Sequence, residues 1–339
     1  MTAIVGNQTG RLLLLLALVG TLAAYLNGIQ HPFVFDDPVQ IVNNQAIHSW
    51  QSMPKYFTSD VWPHADSFVG GTFYRPVFQI WLLLNYKIGG LNPVWWHVTS
   101  LLLHLLVTVS VFALAKTLVN DEVTAGVAAL LFGLHPVHVE AVTWISGVTE
   151  PLMAVFFVAS FLCYLKNKQQ RSPMWLVLSL ALYAFSMLSK ETALMLPGII
   201  VMFRWIQPDN SEPQLKLQRF MSGLSDALPY IVLTVVYLCV RYFALKGLLR
   251  PMTVLPITTL IFSWPSILFF YVRLLVWPFG LSAFYDTPYV TSPQVQNFIL
   301  PLLVLIALAL GVYFLSKRDR MIAFLSLWML LLILPVLNF

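Results

Sequence analysis

Apolar runs long enough to cross a hydrocarbon core recur along the whole chain, each closed by a polar, proline-rich or glycine-rich break. Crossing takes about 20 apolar residues at 1.5 Å rise each, and lipid offers no partner for unpaired backbone groups, so such runs are helices. The pattern predicts spans at roughly 11–29, 93–118, 123–139, 150–166, 173–189, 192–206, 225–245, 297–316 and 320–336. Two further apolar segments, 74–90 and 261–279, are interrupted. Arg75, Asn85 and Lys87 leave the first too short to span, which predicts an interfacial helix on the outer side. Arg273 falls inside the second, between Pro265 and Pro278, which predicts a re-entrant or interfacial path. The run after Arg11 is longer than a signal-peptide core and lacks a small-x-small cleavage site, so it reads as an uncleaved first helix.

Composition sharpens the class. Of 339 residues, 59% are hydrophobic and 10% charged, and the mean hydropathy is +0.79; ordinary soluble domains carry roughly 25% charged residues. The short alternating strands of a membrane β-barrel are absent from the sequence. The expected fold is therefore all-α and polytopic, with about 9–11 transmembrane or re-entrant helices in one domain over 1–339. A long external loop with its interfacial helix covers 30–92, and a second external or re-entrant region covers 246–296. The formal net charge of +5 comes from basic residues scattered through loops with no basic, aromatic-interleaved face, which argues against nucleic acid as a partner. Cys163 and Cys239 both lie within apolar runs and read as packing residues.

Placing Arg11 in the cytoplasm puts Lys116, Lys166, Lys168, Arg171, Arg204, Lys216, Arg219, Lys317, Arg318 and Arg320 inside as well, eleven of the nineteen Lys and Arg residues. The unusual polar residues then collect on the non-cytoplasmic face. They are Asp36-Asp37 after the first helix, Arg75 ahead of the interfacial helix, and the run His135-Pro-Val-His138-Val-Glu140. Glu150 and Lys190-Glu191 join them, while Arg241 and Asp286 are less well placed. Ionisable residues at membrane depth are expensive and default to functional candidates. Each also has a structural reading: a solvated helix exit for the two aspartates, headgroup snorkelling for Arg75, a hydrogen-bonded pair for the histidines, and a hairpin salt bridge for Lys190-Glu191. The two histidines stand at i, i+3 with no third ligand specified, so no metal site is expected. Walker, glycine-rich phosphate and G-x-S-x-G motifs are absent.

Read in order, Phe35-Asp36-Asp37 with Ile41-Val-Asn-Asn44, then Tyr74-Arg75-Pro76, then His135-Pro-Val-His-Val-Glu140, then Ser189-Lys-Glu191 and the closing Leu334-Pro-Val-Leu-Asn-Phe339 resemble the landmarks of the TMTC family. These are transmembrane and tetratricopeptide-repeat O-mannosyltransferases of the GT-C superfamily, with bacterial relatives. The family often has Gly-Arg-Ala-Glu where this chain reads Gly147-Val-Thr-Glu150, so the arginine is missing at that position. The repeats that follow the membrane domain in that family are also missing, which suggests a membrane-domain fragment or a short member.

The resemblance implies a glycosyltransferase that moves a sugar, mannose by analogy, from a polyprenyl-phosphate donor to a protein Ser/Thr hydroxyl or a glycan. It implies inversion at C1, with Asp36 or Asp37 as general base. Arg75, Lys190 and Arg241 are the expected partners of the donor phosphate, because a fixed cation stabilises a leaving phosphate without a metal. His135, His138, Glu140, Glu150 and Glu191 are expected to orient the acceptor or the base. No cofactor is expected; the lipid-linked sugar is a co-substrate, and membrane lipid is the surrounding partner. The compact loops favour a bacterial plasma membrane over the endoplasmic reticulum. A lipid-linked-sugar flippase or transporter is the main rival, and it would place charges mid-membrane and on both faces. A non-catalytic scaffold is the second.

Overall fold

The computed structural model describes residues 2–62, 73–207, 215–246, 255–282, 285 and 288–337. Among them there are helices and turns and no strand, so the all-α expectation holds. Twelve α-helices occur: α1 Thr2–Tyr25, α2 Pro76–Gly89, α3 Pro93–Val119, α4 Glu122–Leu134, α5 Val139–Thr143, α6 Thr149–Gln170, α7 Pro173–Met187, α8 Leu196–Ile206, α9 Lys216–Leu245, α10 Ile257–Val276, α11 Leu300–Ser316 and α12 Arg320–Ile333. Six of the described helical segments are long and apolar enough to cross a membrane, and α4 with its bent continuation makes a seventh.

The breaks follow local chemistry. Pro93 occupies the first turn of α3 behind Asn92, whose side chain accepts from the Val94 N–H at 3.1 Å. Asp121 and Asp319 cap α4 and α12 in the same way. Asn120 and Arg171, both left-handed with φ of 56° and 50°, close α3 and α6.

Four expected boundaries move. The span expected at 123–139 stops at Leu134, because Pro136 holds His135 extended (φ −68°, ψ 124°) and the chain bends by 49°. Helix α9 begins at Lys216, inside the expected polar loop, with strong helix formers in its first turns. The span expected from 192 opens with a 3-10 turn, Glu191–Met195, before α8. The segment expected to re-enter at 261–279 is one continuous helix, α10, that starts four residues earlier. Arg273 therefore lies in its last turn, and the mid-bilayer objection to crossing loses its basis. Asp286, Asn338 and Phe339 lie outside the described residues.

The chain divides into two compact units, Met1–Leu196 with Pro229–Arg250, and Pro197–Leu228 with Pro251–Phe339. In the first, α1 packs on α4, α3 packs on α4 and α6, and α6 pairs with α7. Gly126 allows the α1–α4 approach: a Cβ there would meet the Gly10 carbonyl at 2.8 Å. Helices α6, α7 and the second half of α9 are joined by buried hydroxyls. Ser160 and Ser179 bond each other's carbonyls at 2.7 Å, Ser179 meets the Tyr230 hydroxyl at 2.6 Å, and Tyr183 meets Thr234 at 2.7 Å. The segment 38–61 between α1 and α2 carries a core of its own. Ile41, Ile47 and Val61 pack with Phe78 and Leu82 of α2, Trp96 of α3, and Ile145 and Val148, so the loop is folded onto the helix ends. Helix α2 is 14 residues long, about 21 Å, too short to cross and suited to the interface.

In the second unit, Arg204 of α8 pairs with Asp226 of α9 at 3.1 Å, and Phe203 meets Phe324 of α12 edge-on at 5.3 Å. The Trp264 indole of α10 donates to the Leu337 carbonyl at 3.1 Å.

Candidate functional site

The site end of the first unit is built around a turn. Residues Val34–Asp37 close a β-turn, Asp37 N–H donating to the Val34 carbonyl at 3.0 Å, with Phe35 at a positive φ of 52°. A bulky residue in that region is strained by roughly 1–3 kcal/mol, and such strain persists only where the surroundings hold it. Here they do. The Asp37 side chain is fully buried. One carboxylate oxygen accepts from the Val34 N–H at 3.0 Å; the other accepts from the Ser146 N–H at 2.9 Å and its hydroxyl at 2.6 Å. His97 fixes the loop from the other side, its Nε2 bonding the His31 carbonyl at 3.0 Å. Phe33 packs edge-on against Trp96 one residue earlier, ring centroids 6.2 Å apart.

The two adjacent aspartates therefore differ. Asp37 is committed to three hydrogen bonds, two that clasp the loop to the 3-10 turn Ile145–Val148 and one that closes the loop on itself. Asp36 is half-exposed, and among the described residues its carboxylate makes no hydrogen bond and no ion pair. Burial and the neighbouring Asp37 charge push the Asp36 carboxyl above the ordinary carboxylate range. Burial pushes Asp37 up as well, while the bonds from Ser146 and Val34 and the nearby His97 pull the other way. Gly147 is required by close approach: a Cβ there would meet the Glu140 carbonyl at 2.9 Å.

From that turn a chain of ion pairs runs through the site end. Glu150 opens α6 four residues past Ser146 and pairs with Lys190, just beyond α7. Glu191, next in sequence, takes two hydrogen bonds from Arg75 on one oxygen, from Nε at 3.1 Å and from Nη2 at 2.8 Å. These two side chains are 15% and 22% exposed, so the pair is largely desolvated. The Arg75 guanidinium also lies 4.5 Å over the Phe73 ring. The charges of Arg75, Glu191 and Arg241 all reach the Tyr237 hydroxyl on α9, which donates to the Tyr74 carbonyl at 3.4 Å. Glu140 is exposed, within reach of the Glu150 and Lys190 charges. Of the ten expected residues, Glu150 pairs with Lys190 and Arg75 with Glu191, Asp37 is tied through Ser146 to the turn that leads into Glu150, and Glu140 and Arg241 lie within range of these charges.

The two histidines stand elsewhere. His135 caps the turn after it, Nδ1 accepting from the Val137 N–H at 3.2 Å, and His138 lies among rings, 4.3 Å from Phe132 and 5.2 Å from His104. His104 in turn bonds the Gly133 carbonyl at 3.2 Å and meets Tyr25 edge-on. His138 thus sits in a packing cluster of rings. Sequence reasoning passed over Ser146, His97 and Tyr237, none of which belongs to a charged motif. The only signal was polarity inside otherwise apolar segments.

Comparison with known proteins agrees with the landmarks. Residues 75–237 match the family model described as dolichyl-phosphate-mannose-protein mannosyltransferase, a stretch that runs from Arg75 to Tyr237. The chain is 35% identical over 186 residues to Protein O-mannosyl-transferase TMTC3 of Mus musculus, covering 53% of this chain and 20% of that protein. It is 36% identical over 151 residues to TMTC2 of Homo sapiens, covering 44% and 18%. It is 30% identical over 244 residues to Tmtc1 of Drosophila melanogaster, covering 68% and 28%. The chain thus spans between about a fifth and just over a quarter of the length of these relatives. The resemblance to the TMTC protein O-mannosyl-transferases holds, and the chain is TMTC-like. All three relatives are animal proteins, so the comparison lends no support to the bacterial membrane expected above.

Proposed function

We propose that this TMTC-like membrane chain is a glycosyltransferase that moves mannose from a polyprenyl-phosphate donor to a protein Ser/Thr hydroxyl, with Asp36 as general base. The observation that carries this reading is the inequality of the two aspartates. Asp37 spends its carboxylate on the fold, and Asp36 is presented beside it, half-exposed and unpaired among the described residues. Its raised pKa makes it a better proton acceptor than an ordinary surface carboxylate.

In the proposed reaction the acceptor hydroxyl gives its proton to Asp36 as its oxygen forms a bond to C1 of the sugar. The bond from C1 to the phosphate oxygen breaks, and the lipid phosphate leaves with the electron pair. Attack opposite the leaving group inverts C1. The developing phosphate charge needs a cation. Arg75 has its Nη1 group uncommitted to Glu191, and Lys190 has protons beyond the one facing Glu150. Arg241, whose charge reaches the Tyr237 hydroxyl as that of Arg75 does, is the third cation. With these present, the reading requires no metal.

The proposed face is the non-cytoplasmic one. Helices α3 and α6 begin at the site end. At their far ends stand Lys116, Lys166, Lys168 and Arg171, with Arg11 paired near Lys116, which is the placement that positive charge takes on the cytoplasmic side. The test is transfer of labelled mannose from polyprenyl-phosphate-mannose to a Ser/Thr peptide with chelator present. Wild type should transfer, and Asp36→Asn should lose about 10²- to 10⁴-fold, the range for a positioned general base, with its melting temperature unchanged. Equal transfer by wild type and Asp36→Asn would remove Asp36 from the chemistry.

A further inference from the structure

A general base alone does not account for Phe35. It sits in the left-handed region, where glycine, asparagine or aspartate is the ordinary choice, and its ring is 70% exposed on a turn otherwise locked into the fold. The ring meets Trp144 edge-to-face, centroids 6.3 Å apart. Trp144 is itself fixed: its N–H donates to the Glu140 carbonyl at 3.2 Å, and its carbonyl accepts from Gly147 at 3.0 Å. The tryptophan thus stands at the head of the same turn that holds Asp37 through Ser146 and leads into Glu150. Along one strand of the site the order is Phe35, Asp36, Asp37; along the other it is Trp144, Ser146, Glu150 with Lys190 against it. The aromatic pair bridges the two strands where the base lies on one and the route to the cations starts on the other.

Displacement at C1 needs the acceptor oxygen on one side of the sugar and the phosphate on the other. The sugar ring therefore occupies the space between base and cation. We infer that Phe35, held edge-to-face by Trp144, forms the wall on which the donor's pyranose ring packs, its C–H face against the exposed phenyl ring. This inference rests on the proposed mannosyl transfer and adds the sugar-recognising residues to it. The strained backbone at Phe35 then has a use, since it holds the ring out of the protein and over the bound sugar.

Binding without acceptor separates this from a lipid role. The probes are polyprenyl-phosphate-mannose and the same polyprenyl phosphate without sugar, titrated into the purified full chain in detergent micelles. Wild type is expected to prefer the sugar-bearing lipid. Phe35→Gly, which suits the turn's positive φ and so preserves the fold, is expected to weaken that lipid about tenfold and leave the sugar-free lipid unchanged. Trp144→Leu should act in the same direction, and Phe35→Tyr should restore the preference. Equal weakening of both lipids would overturn the inference and make Phe35 an interfacial anchor. A preference kept in full by Phe35→Gly would overturn it too, leaving the donor reading intact. Wild type that binds neither lipid would bring down the donor reading itself, and this inference with it.

Discussion

At the basic end of the first unit, Glu122 is 7% exposed and lies against Lys116 and Arg11, two cations that reach water. At the site end, Arg75 and Glu191 are both largely buried and hold each other from elements 116 residues apart, while Asp37 reaches 109 residues to Ser146. The first arrangement is local: Lys116 and Glu122 flank the tight turn at Asn120, and removing the acid strands nothing buried. The second is assembled from distant pieces, each dependent on the others, with one carboxylate, Asp36, left outside the pairing. The difference lies in the partners: Glu122 is buried but faces cations that stay in water, whereas in the Arg75–Glu191 pair neither charge has that outlet.

That contrast breaks first at Asp37. Asp37→Ala leaves both Ser146 donors buried without an acceptor and the Val34 N–H without its partner, and stability in detergent should fall by about 3 kcal/mol, read from thermal unfolding. Ser146→Ala removes one hydroxyl bond and should cost about 1–2 kcal/mol. If Asp37→Ala unfolds like wild type, the clasp is not what holds the loop.

The Arg75–Glu191 pair gives a sharper test because its two halves should move donor affinity in opposite senses. Arg75→Gln removes a cation proposed for the phosphate and should raise the donor KM about tenfold. Glu191→Gln costs stability by leaving a buried guanidinium without its anion, yet frees that guanidinium and should not raise the donor KM. If both raise it equally, the pair acts as a structural strut. By comparison Glu122→Gln should cost about 1 kcal/mol of stability, since its cations remain solvated, and leave kcat unchanged.

The helical, polytopic architecture was legible because hydrophobic run length and polar punctuation are local properties, and the caps at Asn92 and Asp121 are local too. The bend at His135-Pro136 was written in the proline but lost in the apolar run around it. The extent of the helix at 261–279 was harder to read, because four residues at the start of α10 decide whether Arg273 lies mid-helix or in the last turn. At the site, charge and resemblance were enough to gather Arg75, Glu150, Lys190 and Glu191 on one side. They were not enough to tell Asp36 from Asp37, identical neighbours that differ in burial and in their bonds to Val34 and to a serine more than a hundred residues away. Nor did the motif show that His138 packs among rings, against Phe132 and His104.

The smallest expected effect concerns the acidic side of the pH profile. A base must be deprotonated to work, so transfer should be absent at low pH and rise as pH passes through the Asp36 pKa. That value is raised by burial first and by the Asp37 charge second. The rise in kcat/KM should therefore be centred above the roughly 3.9 of an unperturbed aspartate. Asp37→Asn keeps an oxygen to accept from Ser146 and removes the neighbouring negative charge. The rise should then move to lower pH but stay above the ordinary carboxylate range, because burial, the larger cause, remains. A rise that stays in place would mean that the charge of Asp37 is not felt at Asp36. A move to higher pH would contradict the sign of their interaction and reassign the titrating group.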